Sequence, residues 1–252
     1  MTLLEGLLVA LAGVAAGAIN TLVGSGTLIT FPTLLAFGVP PVTANVSNTI
    51  GLVPGSVAGA VGYRRELAGQ RSRLGFLVTA SLLGGLVGAL LLLWRPDAFE
   101  AVVPALIALG VVLVVAGPRI SRGVARRHEA IGGLPERGAW WVWPGMAACG
   151  VYGGYFGAAQ GVLMMAVLGI GVPDDLQRLN AAKNVLASLV NGVAGIVFVL
   201  VADVDWTIAL LIAAGSVLGG FLGASFGRRL PAVVLRGFIV VVGVTALVAF
   251  LV

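Results

Sequence analysis

Charge is scarce in this chain. Asp, Glu, Lys and Arg make up 10% of its 252 residues, where a soluble domain carries about 25%. That is too little to cover a water-facing surface, which excludes soluble enzymes and nucleic-acid binders. Cysteine is reduced to Cys149 and histidine to His128. One thiol makes no disulfide framework, and one of each makes neither a metal cluster nor a nucleophile–base pair. No metal or other cofactor is therefore expected, and no enzymatic activity. Gly24-Ser25-Gly26 has no strand or Rossmann context around it, so it is not a dinucleotide fingerprint. ATP motifs are missing, so pumping would have to draw on an ion or substrate gradient. The acids inside expected spans, Glu5 and Glu100, lie near span ends, which argues against a buried carboxylate relay.

What the chain does contain is apolar. Hydrophobic residues reach 59% and the mean hydropathy is +1.09, with runs near the ~20 residues that cross a bilayer as helix. The 38 glycines show no collagen-like period. The net charge of +5 resides in Arg between apolar runs, as in cytoplasmic loops. With Glu5 in place of a basic n-region, no cleaved signal peptide is expected. Trp94, Trp140, Trp141, Trp143 and Trp206 fall at span ends, where interfacial belts place them.

Leu3 to Phe37 is too long for one span, since a helix of that length would reach about 52 Å against a hydrocarbon core of about 30 Å. It is expected to break at Gly24–Thr27, where glycine frees the backbone and Ser and Thr compete for its hydrogen bonds. Spans are predicted at Val42–Tyr63, Leu74–Trp94 and Phe99–Ala116. Trp140–Gly171 is again too long and is expected to break around Gly157–Gly161; Leu179–Ala202, Trp206–Phe226 and Ala232–Val252 follow.

The two sets are copies. Ser81 to Ala89 (SLLGGLVGA) matches Ser216 to Ala224 (SVLGGFLGA) at six of nine positions. Asn48 through Val57-Ala58-Gly59 corresponds to Asn184 through Val193-Ala194-Gly195, and Gly38-Val39-Pro40 to Gly171-Val172-Pro173. The loop with Arg64, Arg65, Arg71 and Arg73 has the Arg-free counterpart Asp203–Asp205. Arg95–Glu100, with one Arg and two acids, has a counterpart bearing Arg228, Arg229 and Arg236. The positive-inside rule therefore places equivalent loops on opposite sides. The expected architecture is an all-α polytopic membrane protein of two inverted repeats, each a broken helix hairpin plus three transmembrane helices. The first repeat covers 1–117, an Arg-rich cytoplasmic linker 118–138, and the second repeat 139–252, with both termini outside.

Irregular backbone at membrane depth is tolerated only inside protein or around a watery cavity, which points to a site between the copies. N–H groups at the breaks suit a small anion, with Asn20, Gly24, Ser25, Gly26, Thr27, Gln160 and Gly161 around them and Thr21 adding a further neutral polar side chain. The alternative is that the breaks are packing turns. Asn45, Ser47 and Asn48 open the next helix of the first copy, and Asn180, Lys183 and Asn184 that of the second. Lys183 is the single lysine of the chain; it either faces a cavity or snorkels to the headgroups. The asparagines are either ligands or helix-to-helix glue. Asp174 and Asp175 are expected as a solvated pair at a helix start. A membrane scaffold without transport and a permease for a non-sulfur anion remain as other readings, and homo-oligomerisation stays open.

Ile19 to Pro32 (INTLVGSGTLITFP), with Thr43 to Thr49 (TANVSNT), resembles the first signature of the TauE/SafE sulfite exporter family. Tyr152 to Gly161 (YGGYFGAAQG), with Leu179 to Asn184 (LNAAKN), is similar to its second signature. The resemblance covers nearly the whole chain. It implies a prokaryotic inner-membrane permease for sulfur-containing anions such as sulfite, thiosulfate or organosulfonates. Ala158-Ala159 stand where the family is often Gly-rich, a departure that reshapes the expected pocket.

Overall fold

The computed structural model describes residues 1–130, 138–226 and 232–251. Among them every regular element is helical: α1 (Leu3–Leu22), α2 (Thr27–Ala36), α3 (Pro41–Gly62), α4 (Arg71–Trp94), α5 (Pro96–Ala130), α6 (Val142–Tyr155), α7 (Gln160–Gly171), α8 (Leu176–Val201), α9 (Trp206–Phe226) and α10 (Ala232–Leu251). Among the described residues five stretches are long and apolar enough to cross a membrane: α1, α4, Pro96–Arg119 of α5, α8, and Trp206–Ser225 of α9. α3 has the length, 22 residues, but Asn45, Ser47, Asn48 and Thr49 lower its hydropathy. Exposed Leu90, Leu200, Leu210 and Leu218 suit the acyl chains that the helices must meet.

Local chemistry sets the helix starts. Thr2 and Glu5 form a reciprocal capping box at α1, which accounts for the one acid in the first apolar run. Pro41 and Pro96 open α3 and α5, where the missing N–H costs nothing. Asp175 Oδ1 accepts from the N–H groups of Gln177 and Arg178 at 2.9 and 3.0 Å and caps α8.

Both expected breaks are present. α1 and α2 are separated at Val23–Gly26, with Gly24 at φ +81°, and α6 and α7 at Phe156–Ala159, with Gly157 at φ +78°. One boundary differs from expectation. α5 does not stop at Ala116 but runs on through Ala130, so the first part of the expected linker is helix, because Pro118 sits inside α5 without ending it. Residues 131–137 of that linker lie outside the described residues. So do Arg228 and Arg229, and the side chain of Arg236.

The repeated small-residue motif explains the packing. A Cβ on Gly84 of α4 would lie 2.2 Å from the Ala147 carbonyl oxygen of α6, and one on Gly219 of α9 would lie 2.0 Å from that of Val14 in α1. Gly88 and Gly223 repeat the pattern against Val151 and Ala18. The fourth helix of each set thus lies backbone to backbone against the first helix of the other. Neighbours also fix relative directions. Along α3 and α9, Gly51 meets Ile212, Gly55 meets Ser216 and Gly62 meets Ala224, so these two run parallel. Along α3 and α8, Ile50 and Val53 meet Gly195 while Tyr63 clusters with Ala181, so these two, which correspond in the sequence alignment, run antiparallel. The breaks are wedged by aromatic rings: Phe31 of α2 meets Phe156 edge-on at 5.1 Å, and Phe99 of α5 meets Tyr155 at 5.5 Å.

Candidate functional site

The two breaks touch. Gly161 N–H donates to the Gly24 carbonyl at 3.0 Å, and a Cβ on Gly161 would lie 2.4 Å from Gly24 Cα. Only glycine allows this approach. Gly26 is equally constrained, its missing Cβ falling 2.5 Å from the Ala16 carbonyl oxygen where α2 folds back on α1.

Helix α8 closes the site from the side. The last turn of α1 leaves carbonyls without intrahelical partners, and three side chains of α8 fill them. Lys183 Nζ donates to the Asn20 and Thr21 carbonyls at 3.0 and 3.2 Å. Asn180 and Asn184 Nδ2 donate to the Thr21 carbonyl at 3.3 and 3.2 Å. An amine satisfies the open carbonyls of a helix C-terminus by donating hydrogen bonds to them. Lys183 has no exposed surface, so it faces the interior and does not snorkel. The copies exchange this device, for Asn45 Nδ2 of α3 donates to the Tyr155 carbonyl that ends α6, at 3.0 Å.

Helix α2 begins without a side-chain cap. Leu28 and Ile29 N–H groups turn back to Ser25 and Gly26, and among the described residues the N–H groups of Ser25, Gly26 and Thr27 make no such backbone bond. Asn48 braces this end: its Oδ1 accepts from Thr30 Oγ1, and its Nδ2 donates to Thr27 Oγ1 at 3.4 Å. Four buried polar atoms at or beside the breaks have no partner: Ser25 Oγ, Asn45 Oδ1, Asn180 Oδ1 and Gln160 Nε2. Such groups are costly to bury unless something else satisfies them.

Some expected residues are used differently, and Ser47 stands apart. Ser47 Oγ accepts from Asp205 N–H at 3.0 Å, tying α3 to the α8–α9 corner. Asn20 gives the site its carbonyl, while its amide donates to Ser56 Oγ at 3.1 Å. Gln160 folds against α6, 2.2 Å from where a Gly153 Cβ would be. Sequence reasoning named Thr21 for its side chain, whereas its carbonyl is what gathers three donors; it missed Thr30, one turn beyond Thr27 on the face that meets Asn48. It also missed Tyr152, whose hydroxyl donates to the Ala158 carbonyl at 2.6 Å and pins the second break; a polar residue one turn before each break was the available signal. A cavity of about 880 Å³ lies at the other end of α2, between Pro32, Pro40, Pro41 and Val241, away from these groups.

Asp174 is not simply a solvated helix-start residue. Its carboxylate accepts from Arg73 of α4 and Arg178 of α8, each at 2.7 Å, and is largely covered. Burial pushes its pKa up, but the hydrogen bonds from Arg73, Arg178 and the Asp175 backbone outweigh that and hold it below the usual carboxylate value. Gln70 completes the junction, donating to the Arg178 carbonyl at 3.0 Å and accepting from Arg73 at 3.2 Å.

Two broken hairpins meeting tip to tip inside an all-helical bundle with an apolar exterior define a polytopic membrane transporter. The chain belongs to the Sulfite exporter TauE/SafE family, whose model matches residues 9–250. It is 26% identical over 216 residues to the "Probable membrane transporter protein YfcA" of Escherichia coli, covering 85% of this chain and 76% of that one. A "Probable membrane transporter protein" of Haemophilus influenzae is 28% identical over 234 residues, 90% of this chain and 89% of the relative. A "Probable membrane transporter protein ORF9" of Sinorhizobium is 26% identical over 245 residues, 94% and 88%. The protein is a membrane transporter, not an enzyme; its partners are the lipid bilayer and a small-molecule substrate.

Proposed function

We propose that this transporter moves small sulfur-containing anions, such as sulfite, thiosulfate or organosulfonates, across a prokaryotic inner membrane through the junction of the two breaks. The observation that carries the reading is the fully buried Lys183 beside that junction, with buried side-chain polar atoms that lack protein partners at or beside the breaks. An oxyanion offers several acceptors and negative charge, which match N–H donors and one ammonium. Ser25, Asn48, Gln160, Lys183 and Asn184 are the principal contacts, with Asn20, Gly24, Gly26, Thr27, Asn45, Gly161 and Asn180 shaping the site; Ser47 supports α3 from the α8–α9 corner. The family match supports sulfur chemistry.

The antiparallel run of α3 and α8 supports inverted repeats, 1–117 and 139–252, with the Arg-bearing loops and the 118–138 linker cytoplasmic and both termini outside. Access then alternates by rocking one repeat against the other around the shared tips. The test is thermal unfolding of the detergent-purified protein with sulfite, thiosulfate, taurine, sulfoacetate, chloride or acetate at fixed ionic strength. A ligand near 100 times its Kd adds about 2.7 kcal/mol, expected for a sulfur oxyanion or sulfonate alone. Equal response to chloride and acetate, or response to none, refutes the assignment.

A further inference from the structure

Resting on the anion site above, we propose that Lys183 is also the coupling group of transport: its amine takes up one proton from water as the anion binds and returns it as the anion leaves. Anion and proton then cross together, as the amine plus a proton plus the anion going to the ammonium–anion pair.

The argument is one of charge accounting in a buried place. Lys183 lies wholly inside the bundle. Its two partners are the Asn20 and Thr21 carbonyls, which bear partial charge only. Among the described residues no carboxylate contacts it. An ammonium taken from water without a full counter-charge is strongly disfavoured, whereas a neutral amine still donates two hydrogen bonds to those carbonyls. An arriving anion supplies the missing charge and makes protonation favourable, and by linkage the proton then favours the anion.

Among the described residues, the charged groups on the elements packed around Lys183 are distant or already engaged. α3 carries no titratable residue between Pro41 and Gly62, and Tyr63, which follows it, is buried against Ala181 of α8 with a partner of its own; α7 carries none between Gln160 and Gly171, and the Gly161 backbone of α7 packs on the Lys183 stem. α1 contributes only Glu5, about 22 Å away along its axis at 1.5 Å per residue. On α4 and α8, Arg73 and Arg178 are engaged with Asp174 at the helix starts, and Arg71 lies exposed beside Arg73. α6 brings Cys149, Tyr152 and Tyr155; the Tyr152 hydroxyl is committed to the Ala158 carbonyl. Arginine in place of Lys183 would keep its charge at every working pH, so the choice of lysine is itself what coupling needs.

The test uses the wild-type protein and thiosulfate, which takes up no proton itself near neutral pH. Binding is followed by calorimetry from about pH 6 to about pH 10, bracketing the range in which a buried lysine titrates, with proton uptake read in weakly buffered solution. At the alkaline end about one proton should enter per anion bound, and affinity should fall about tenfold per pH unit. In Lys183→Arg both effects should vanish. Binding with no proton uptake and flat affinity in the wild type overturns the coupling but not the anion site, as does an unchanged pH slope in Lys183→Arg. If that variant fails to fold, the wild-type proton count decides alone. No thiosulfate binding at any pH, with a sulfonate failing likewise, removes the anion reading and the coupling with it.

Discussion

Ala159 is the residue whose backbone is most at odds with its side chain. It stands at φ 59°, ψ 19°, where it opens α7, and the left-handed region costs an alanine roughly 1 kcal/mol. Ala159→Gly should raise stability in thermal unfolding by about 0.5 kcal/mol, the relief less the greater chain entropy of glycine; a loss would show that the methyl packs more usefully than it strains. Gly161→Ala works the other way. Its Cβ has nowhere to go beside Gly24, so a loss of about 1–3 kcal/mol is expected from overpacking. Lys183→Ala should weaken anion affinity about tenfold or more, as losing a charge-assisted hydrogen bond of ~1.5–3 kcal/mol implies. Lys183 was visible in the sequence as the lone lysine, but its direction was not. Snorkelling and facing inward are equally open to a residue one turn inside a helix, and only the carbonyl-rich end of α1, held against α8, resolves it.

Among elements, the two breaks and the small-residue faces were legible. Both follow from local rules: glycine is needed where backbones reverse or touch, and a run longer than the bilayer has to stop. The extent of α5 was not legible, because an Arg-rich stretch reads equally as linker or as helix leaving the membrane. Nor was the α4–α8 junction, since Arg73 and Asp174 are 101 positions apart. That junction makes a pH prediction. A carboxyl whose folded pKa is depressed adds stability that is present above the unfolded value, about 3.9, and lost as pH falls through the folded value. The wild type should therefore lose stability on acidification below about pH 4, a loss absent in Asp174→Asn. At neutral pH that variant should be less stable by about 3 kcal/mol, the cost of removing one partner from a largely buried ion pair; equal acid sensitivity in the two proteins would mean that Asp174 contributes nothing.

For the whole molecule, the proposed inversion is the property on which the proposed mechanism rests, and it predicts sidedness. In a Cys149→Ser background, Arg65→Cys and Asp203→Cys place thiols in equivalent, exposed loops of the two copies. Impermeant maleimide added to sealed, right-side-out vesicles should label only Asp203→Cys, and inside-out vesicles should reverse the result. Labelling of both from one side would make the repeats parallel. Composition, run length and the duplicated motifs by themselves determined that this chain is an all-helical membrane protein of two copies, each with one broken segment, because those properties are set by the solvent and by neighbours along the chain. Tertiary structure alone decided that the breaks meet at Gly24 and Gly161, that α8 caps α1 through Asn180, Lys183 and Asn184, and that Ser47 stands apart. Those contacts join residues more than a hundred positions apart, and their geometry is fixed by how whole helices pack, which no local pattern encodes.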